Sequence, residues 1–296
     1  MKKNLFLIAA LAVCLLGVSC GHVRKELIVC GDDKVLIIDA DRSIEDSVCV
    51  VWEWKASDSF SQIPEELHQR CRNMDECKLV DNNTKLLITS SSGIALLLER
   101  ETKNCLFYAY VPMAHSADFL PGNRIAVALS THVKGNSVEV FDVDKSNQVL
   151  YHDSIYSGHG AVWMTEKERL FILGHDELRA YMLKDWQTDK PSLSLEKSWK
   201  IPVVSGHDLV KVSEKELLLT GNDGVYWFDI DKESFSPFEP LAGAEHVKSI
   251  NYDKETGELV YTKAEESWWT HHIYSENPKR VFTIEDINLY KVRTIK

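Results

Sequence analysis

Three histidines recur in similar surroundings, in AHSADFL (114–120), GHGAVWM (158–164) and GHDLVKV (206–212). Two further stretches, ECKLV (76–80) and VKSI (247–250), occupy corresponding places and contribute Glu76, Lys78 and Lys248. Three imidazoles converging from separate segments can hold a divalent transition ion, zinc or manganese, with positions left open for a substrate. A histidine near its unperturbed pKa of about 6.5 can instead act as general acid or base, with a lysine neutralising a substrate carboxylate. Both chemistries suit an acidic oligosaccharide, where a proton beside a carboxylate must be removed. The candidate site is therefore His115, His159, His207, Lys248, Glu76 and Lys78. In the metal version His115, His159 and His207 are the ligands. Otherwise they are acid and base, Lys248 and Lys78 engage carboxylate, and Glu76 orients a neighbour.

Convergence requires an architecture, and the chain repeats. LIVCGDDKVLIIDA (27–40), LLITSSSGIALLLE (86–99), LFILGHDELRAYML (170–183) and LLLTGNDGVYWFDI (217–230) align without gaps. Each is an apolar run, a polar turn and a second apolar run, which is a β-hairpin signal. IAVALSTHVKGNSVEVFD (125–142) and LVYTKAEESWWTHHI (259–273) are looser copies. Ahead of five hairpins a further strand starts at Glu76, His115, His159, His207 and Lys248, in steps of 39, 44, 48 and 41 residues. Units of about 40–50 residues with four short strands are propeller blades. CVVWEWKA (49–56), CLFYAYV (105–111), SLEKSWKI (194–201) and KRVFTI (279–284) read as outer strands.

The first hairpin has no inner strand before it, and the chain ends in INLYKVRTIK with no hairpin after it. Pairing the C-terminal strand with the N-terminal blade closes the ring and removes a sheet edge. The fold expected is all-β, a six-bladed β-propeller, with seven blades if a degenerate one goes unrecognised. Strand starts then meet at one channel mouth. The hairpin turns add Asp32, Asp33, His132, His175 and Asp223 as an outer tier, with Ser116, Asp208 and Ser249 flanking the ring. IPEELHQRCRN (63–73) is the one helix candidate and would cap a mouth.

MKKNLFLIAALAVCLLGVSC opens the chain: two lysines, a short apolar core and Cys20. The apolar core, 14 residues from Leu5 to Val18, is too short to span a bilayer, which takes about 20 residues, and the segment reads as an export signal. The expected division is a signal peptide over 1–19, lipidation at Cys20, and one propeller domain over 20–296. That places the protein in the cell envelope, held to the membrane by its lipid anchor alone. Loss of Lys2 and Lys3 moves the net charge from −11 to −13, which disfavours nucleic acid as a partner. A monomer is expected. Of five cysteines after Cys20, Cys71 and Cys77 are the expected disulfide pair, and an odd count leaves at least one thiol free. Trp268, Trp269, His271 and His272 alternate as in a strand, and Trp52 and Trp54 share a strand face; both sets read as packing between blades. DVDKSN (142–147) and DIDKES (229–234) read as turns, since they lack the glycine and terminal glutamate of a calcium loop.

Taken together, ECK, AHS with LPGNRIAVA, GHG with VW, GHDL and VKSI resemble bacterial lipoproteins carrying a propeller domain of unknown function. The resemblance covers nearly all of the mature chain and implies fold and export without an activity. A mouth lined with histidines is also similar, more distantly, to propellers of the oligogalacturonate-lyase type, whose histidines bind a divalent metal. WD-repeat propellers supply the alternative, because their Gly-His pairs buttress the blade itself. The rival to a lyase is accordingly a non-enzymatic glycan- or protein-binding scaffold with structural histidines.

Overall fold

The computed structural model describes residues 25–295; Cys20 and the expected signal segment lie outside them. Six four-stranded antiparallel sheets form a closed β-propeller. The innermost strands are Leu289–Thr294, Met74–Val80, Ala114–Leu120, Gly160–Met164, Asp208–Ser213 and Val247–Tyr252, in blades one to six. Blade one is composite: the C-terminal strand pairs with Glu26–Gly31, Leu27 opposite Thr294 and Val29 opposite Val292. The closure expected from the chain ends is the one found.

The second and third strands of each blade read as continuous apolar runs because each blade is covered on both sides. In LLI (86–88), Leu86 and Ile88 pack toward blade one while Leu87 packs toward blade three. Six apolar clusters result, one in each interface between neighbouring blades. Trp54, fully buried, sits in the interface of blades one and two and donates from Nε1 to Ser59 Oγ at 3.0 Å. The expectation that Trp52 and Trp54 serve packing holds at both: Trp52, partly buried, packs against the same cluster and donates from Nε1 to Arg100 O of blade two at 3.1 Å.

The inner strands differ on their two faces. Cys77, Ala117, Ala161, Leu209, Ile250 and Val292 point into the interface with the preceding blade. The residues on either side of each of these lie beside the axis, as the two-residue period of a strand requires. Several of them accept hydrogen bonds from backbone N–H groups of the next inner strand. Asp118 Oδ2 accepts from Trp163 at 2.7 Å, Asp208 Oδ2 from Ile250 at 3.1 Å, Ser249 Oγ from Val292 at 3.0 Å and Asn251 Oδ1 from Thr294 at 3.3 Å. An inner strand has no ladder partner on its axial side, so these side chains satisfy groups that would otherwise be buried unpaired.

Two expectations need correction. Cys71 and Cys77 are both free thiols, as are Cys30, Cys49 and Cys105. Cys77 lies in an inner strand rather than a loop, buried in the same apolar cluster as Cys30 and Cys71. The helix candidate over 63–73 contracts to a single turn, Glu65–His68. No helix among the described residues is long and apolar enough to cross a membrane.

Gly160 stands in close approach to blade five. A Cβ there would lie 2.5 Å from Leu209 Cβ and 3.0 Å from Leu173 Cβ, both in well-buried residues. Gly160→Ala should cost about 1–3 kcal/mol by overpacking, measured as a lower midpoint in thermal unfolding. An unchanged midpoint would refute this close approach.

Candidate functional site

Four inner strands carry a bulge near their start, at Asp75, His115, Lys248 and Tyr290. His159 and His207 take the equivalent place, one residue before their strands, each donating its backbone N–H across to the second strand. The ring at this mouth is therefore Asp75, His115, His159, His207, Lys248 and Tyr290. Glu76 does not belong to it. The bulge inserts one residue, so Asp75 takes the ring position and Glu76 falls one step deeper. Lys78 lies two residues deeper still along the strand, toward the opposite mouth.

The six ring side chains plug the opening, with exposures between 2 and 8 %. His115 and His159 have ring centroids 4.4 Å apart, His159 and His207 5.6 Å, and Tyr290 lies 6.1 Å from His115. Trp268, 38 % exposed, packs on Tyr290 at 6.0 Å from above. The run 268–271 is thus a connection rather than strand, which begins only at His272, and Trp268 belongs to the mouth.

Backbone carbonyls fix two of the rings. His115 Nδ1 donates to Met113 O at 3.0 Å and His159 Nδ1 to Ser157 O at 2.9 Å, so each Nδ1 carries a proton and each ring presents Nε2. His115 Nε2 lies 3.8 Å from the Asp75 carboxylate. His207 Nε2 is 2.9 Å from Lys248 Nζ and 2.6 Å from Asn222 Oδ1. An ammonium can only donate and a carbonyl oxygen only accept, so one nitrogen cannot satisfy both. His207 Nδ1 is buried with no hydrogen-bond partner.

Burial, reinforced by the neighbouring imidazoles, holds His159 well below the usual histidine range. Burial and then Lys248 bring His207 down to about 3. Burial alone lowers Lys248 to about 8, and no carboxylate among the described residues pairs with it. The Asp75 carboxyl is pushed up, mainly by burial. Among the described residues no set of three or more His, Cys, Asp or Glu side chains is disposed to hold a metal. His115 and His159 nonetheless have the Nδ1-to-carbonyl bonds that usually orient metal-bound imidazoles. His207, engaged at Nε2 and unpartnered at Nδ1, does not.

The next layer is a buried ion network. Arg293 grips two carboxylates bidentately: Glu76 through Nε at 2.8 Å and Nη2 at 2.9 Å, and Asp208 through Nη1 and Nη2, both at 2.7 Å. Lys291 Nζ lies 3.1 Å from Asp208 and 3.3 Å from Glu76. Ser116 Oγ donates to Glu76 at 2.8 Å. Burial alone would raise both carboxyls, but Arg293 and Lys291 outweigh it and hold Glu76 and Asp208 below their ordinary range. Glu76 is thus a structural counter-ion. Lys291 and Arg293 escaped the sequence analysis, yet aligning YKVR (290–293) with KSIN (248–251) places them in the same pattern.

The fold and these polar layers define a closed six-bladed propeller with a histidine-plugged channel. The chain belongs to a family of unknown function, DUF6528, whose model matches residues 27–296. A search of curated proteins finds no match.

Removing one member of a buried ion network strands the others, at about 3–5 kcal/mol. Arg293→Met should lose that much in denaturant unfolding, and Arg293→Lys should not restore it because a lysine cannot bridge two carboxylates bidentately. Acid should act through His159 and His207 first. Their folded pKa values are depressed, so the unfolded chain binds protons that the folded chain refuses, for His207 between about pH 6.5 and 3. Stability then falls on acidification by up to about 1.4 kcal/mol per pH unit for each such site. Glu76 and Asp208 add a further loss below about pH 4, where the unfolded carboxylates protonate first. His207→Gln should flatten the slope between pH 6.5 and 4; an unchanged slope would rule out this source.

Proposed function

We propose that the histidine mouth recognises a carboxylate-bearing ligand of the acidic-carbohydrate class, on an exported protein lipidated at Cys20. One observation carries the reading: Lys248 is a buried ammonium whose neighbour is the His207 imidazole, with no counter-ion among the described residues. A ligand carboxylate at Lys248 would supply the missing charge and free His207 Nε2 to donate to Asn222. Hydroxyl groups of a sugar would meet the Nε2 atoms of His115 and His159, and the exposed indole of Trp268 offers an apolar face.

Recognition fits better than proton abstraction. An effective general base has a pKa near the working pH, and His159 and His207 lie far below neutrality. Lys248, at about 8, is the group best matched to a proton transfer if cleavage occurs. The metal reading survives in reduced form, with His115 and His159 rather than all three imidazoles as its ligands.

The anchor would orient the molecule. Glu26 O accepts from Ile295 N at 3.1 Å, at the end of the channel opposite the histidines. Five residues lie between Cys20 and Glu26, and the six steps reach about 20 Å at most. A lipid on Cys20 would therefore leave the histidine mouth facing away from the membrane.

Calorimetric titration of the soluble chain 21–296, which keeps every strand of the ring, with trigalacturonate and with neutral galactotriose tests the reading. Preferential binding of the uronate, weakened at least tenfold in Lys248→Met and in His159→Ala, is expected. Equal affinity for the two, or none for either, would return the histidines to blade support. Elemental analysis of the same protein checks the metal version: about one equivalent of zinc or manganese, lost in His115→Ala, is its expected outcome.

A further inference from the structure

A cavity adjoining the channel opens at its other mouth. It measures about 470 Å³, inside the ~300–1,000 Å³ range of small-molecule sites. Lys78, Asp118 and Arg293 line it from the polar faces of the inner strands, and Leu79, Trp163 and Val210 contribute apolar wall. Three strand residues separate this tier from the histidine ring, about 10 Å along the axis.

Two donors in this lining keep a proton to give. Arg293 has five N–H groups, and four bonds to Glu76 and Asp208 leave one on Nη1. Lys78 Nζ has three, of which two go to the carbonyls of Ala117 at 3.0 Å and Ala161 at 2.7 Å. The charges point the same way. Glu76 and Asp208 are matched by Lys291 and Arg293, which leaves Lys78 with Asp118. Burial raises the Asp118 carboxyl toward its neutral form, and Lys78 reaches Glu76 only at 3.8 Å. Among the described residues the polar end of the cavity thus tends to one uncompensated positive charge beside an apolar wall.

We propose that this mouth is a second ligand site, taking a small organic carboxylate whose charged end meets Lys78 and Arg293 and whose apolar body lies against Trp163 and Leu79. The site is distinct from the histidine mouth and does not depend on it. A deep carboxylate replaces no existing ion pair, because Arg293 and Lys78 each contribute an uncommitted N–H.

The test is calorimetric titration of the chain 21–296 with 4-phenylbutyrate and with its neutral amide. The carboxylate should bind with one equivalent and the amide at least tenfold more weakly. Lys78→Met should weaken the carboxylate at least tenfold. Should that variant fail to fold, Val210→Trp, which fills the cavity from its wall, should abolish binding while far-ultraviolet dichroism stays unchanged. His159→Ala should leave the affinity unaltered, which separates this site from the one at the histidines. Equal binding of the amide, binding that persists in Val210→Trp, loss of binding in His159→Ala, or no binding by the carboxylate below about 1 mM would each overturn the proposal.

Discussion

Closure of the ring rests on Arg293. Its strand comes from the last residues of the chain and completes a blade begun by the first strand, and its guanidinium holds carboxylates from two other blades. Glu76 belongs to the neighbouring second blade and Asp208 to the fifth, so a single side chain ties the closing strand to both sides of the axis. Buried ion pairs repay their desolvation only when geometry is good and the remaining polar atoms are satisfied. Here both carboxylates are gripped bidentately and supported by Lys291, Ser116 and the Ile250 N–H. The contribution is as much to register as to stability: a strand slipped by one residue would turn Lys291 and Arg293 away from the axis and toward the blade interface where Val292 now sits.

Around this centre the blades apply one rule repeatedly. The second and third strands are apolar on both faces because a blade is packed between two others. The innermost strand is apolar on one face only and spends the other on the axial edge of its neighbour. That edge is what a polar channel supplies: serine, aspartate and asparagine oxygens accept the N–H groups that no ladder reaches. The channel is polar for a structural reason before any ligand is considered, and this tempers the functional reading of Glu76, Asp208 and Ser116.

What remains after those structural demands are met is a short set of groups. Lys248 is buried with no counter-ion among the described residues, His207 faces conflicting partners at one nitrogen, and Lys78 and Arg293 retain donors at the far cavity. The two ends of the channel then differ in character. One is plugged by rings and presents an aromatic surface; the other is open, with an apolar wall and a cationic end.

Much of this was legible in the residues. Hairpin periodicity, the orphan first hairpin and the orphan last strand together pointed to six blades, with seven left open, and to the way they close, because each strand's pattern reflects covering on one face or two. The convergence of His115, His159, His207 and Lys248 followed from their equal place in each repeat. Three things were decided only by tertiary structure. The bulge put Asp75 into the ring in place of Glu76, since a single inserted residue moves Glu76 one layer deeper along the axis and leaves the sequence spacing almost unchanged. The burial that depresses His159 and His207 comes from neighbours contributed by other blades, so no local stretch encodes it. Cys71 and Cys77, six residues apart in sequence, remain reduced: one lies in the helical connection and the other in the strand beyond, where the apolar interface between two blades encloses both as packing groups.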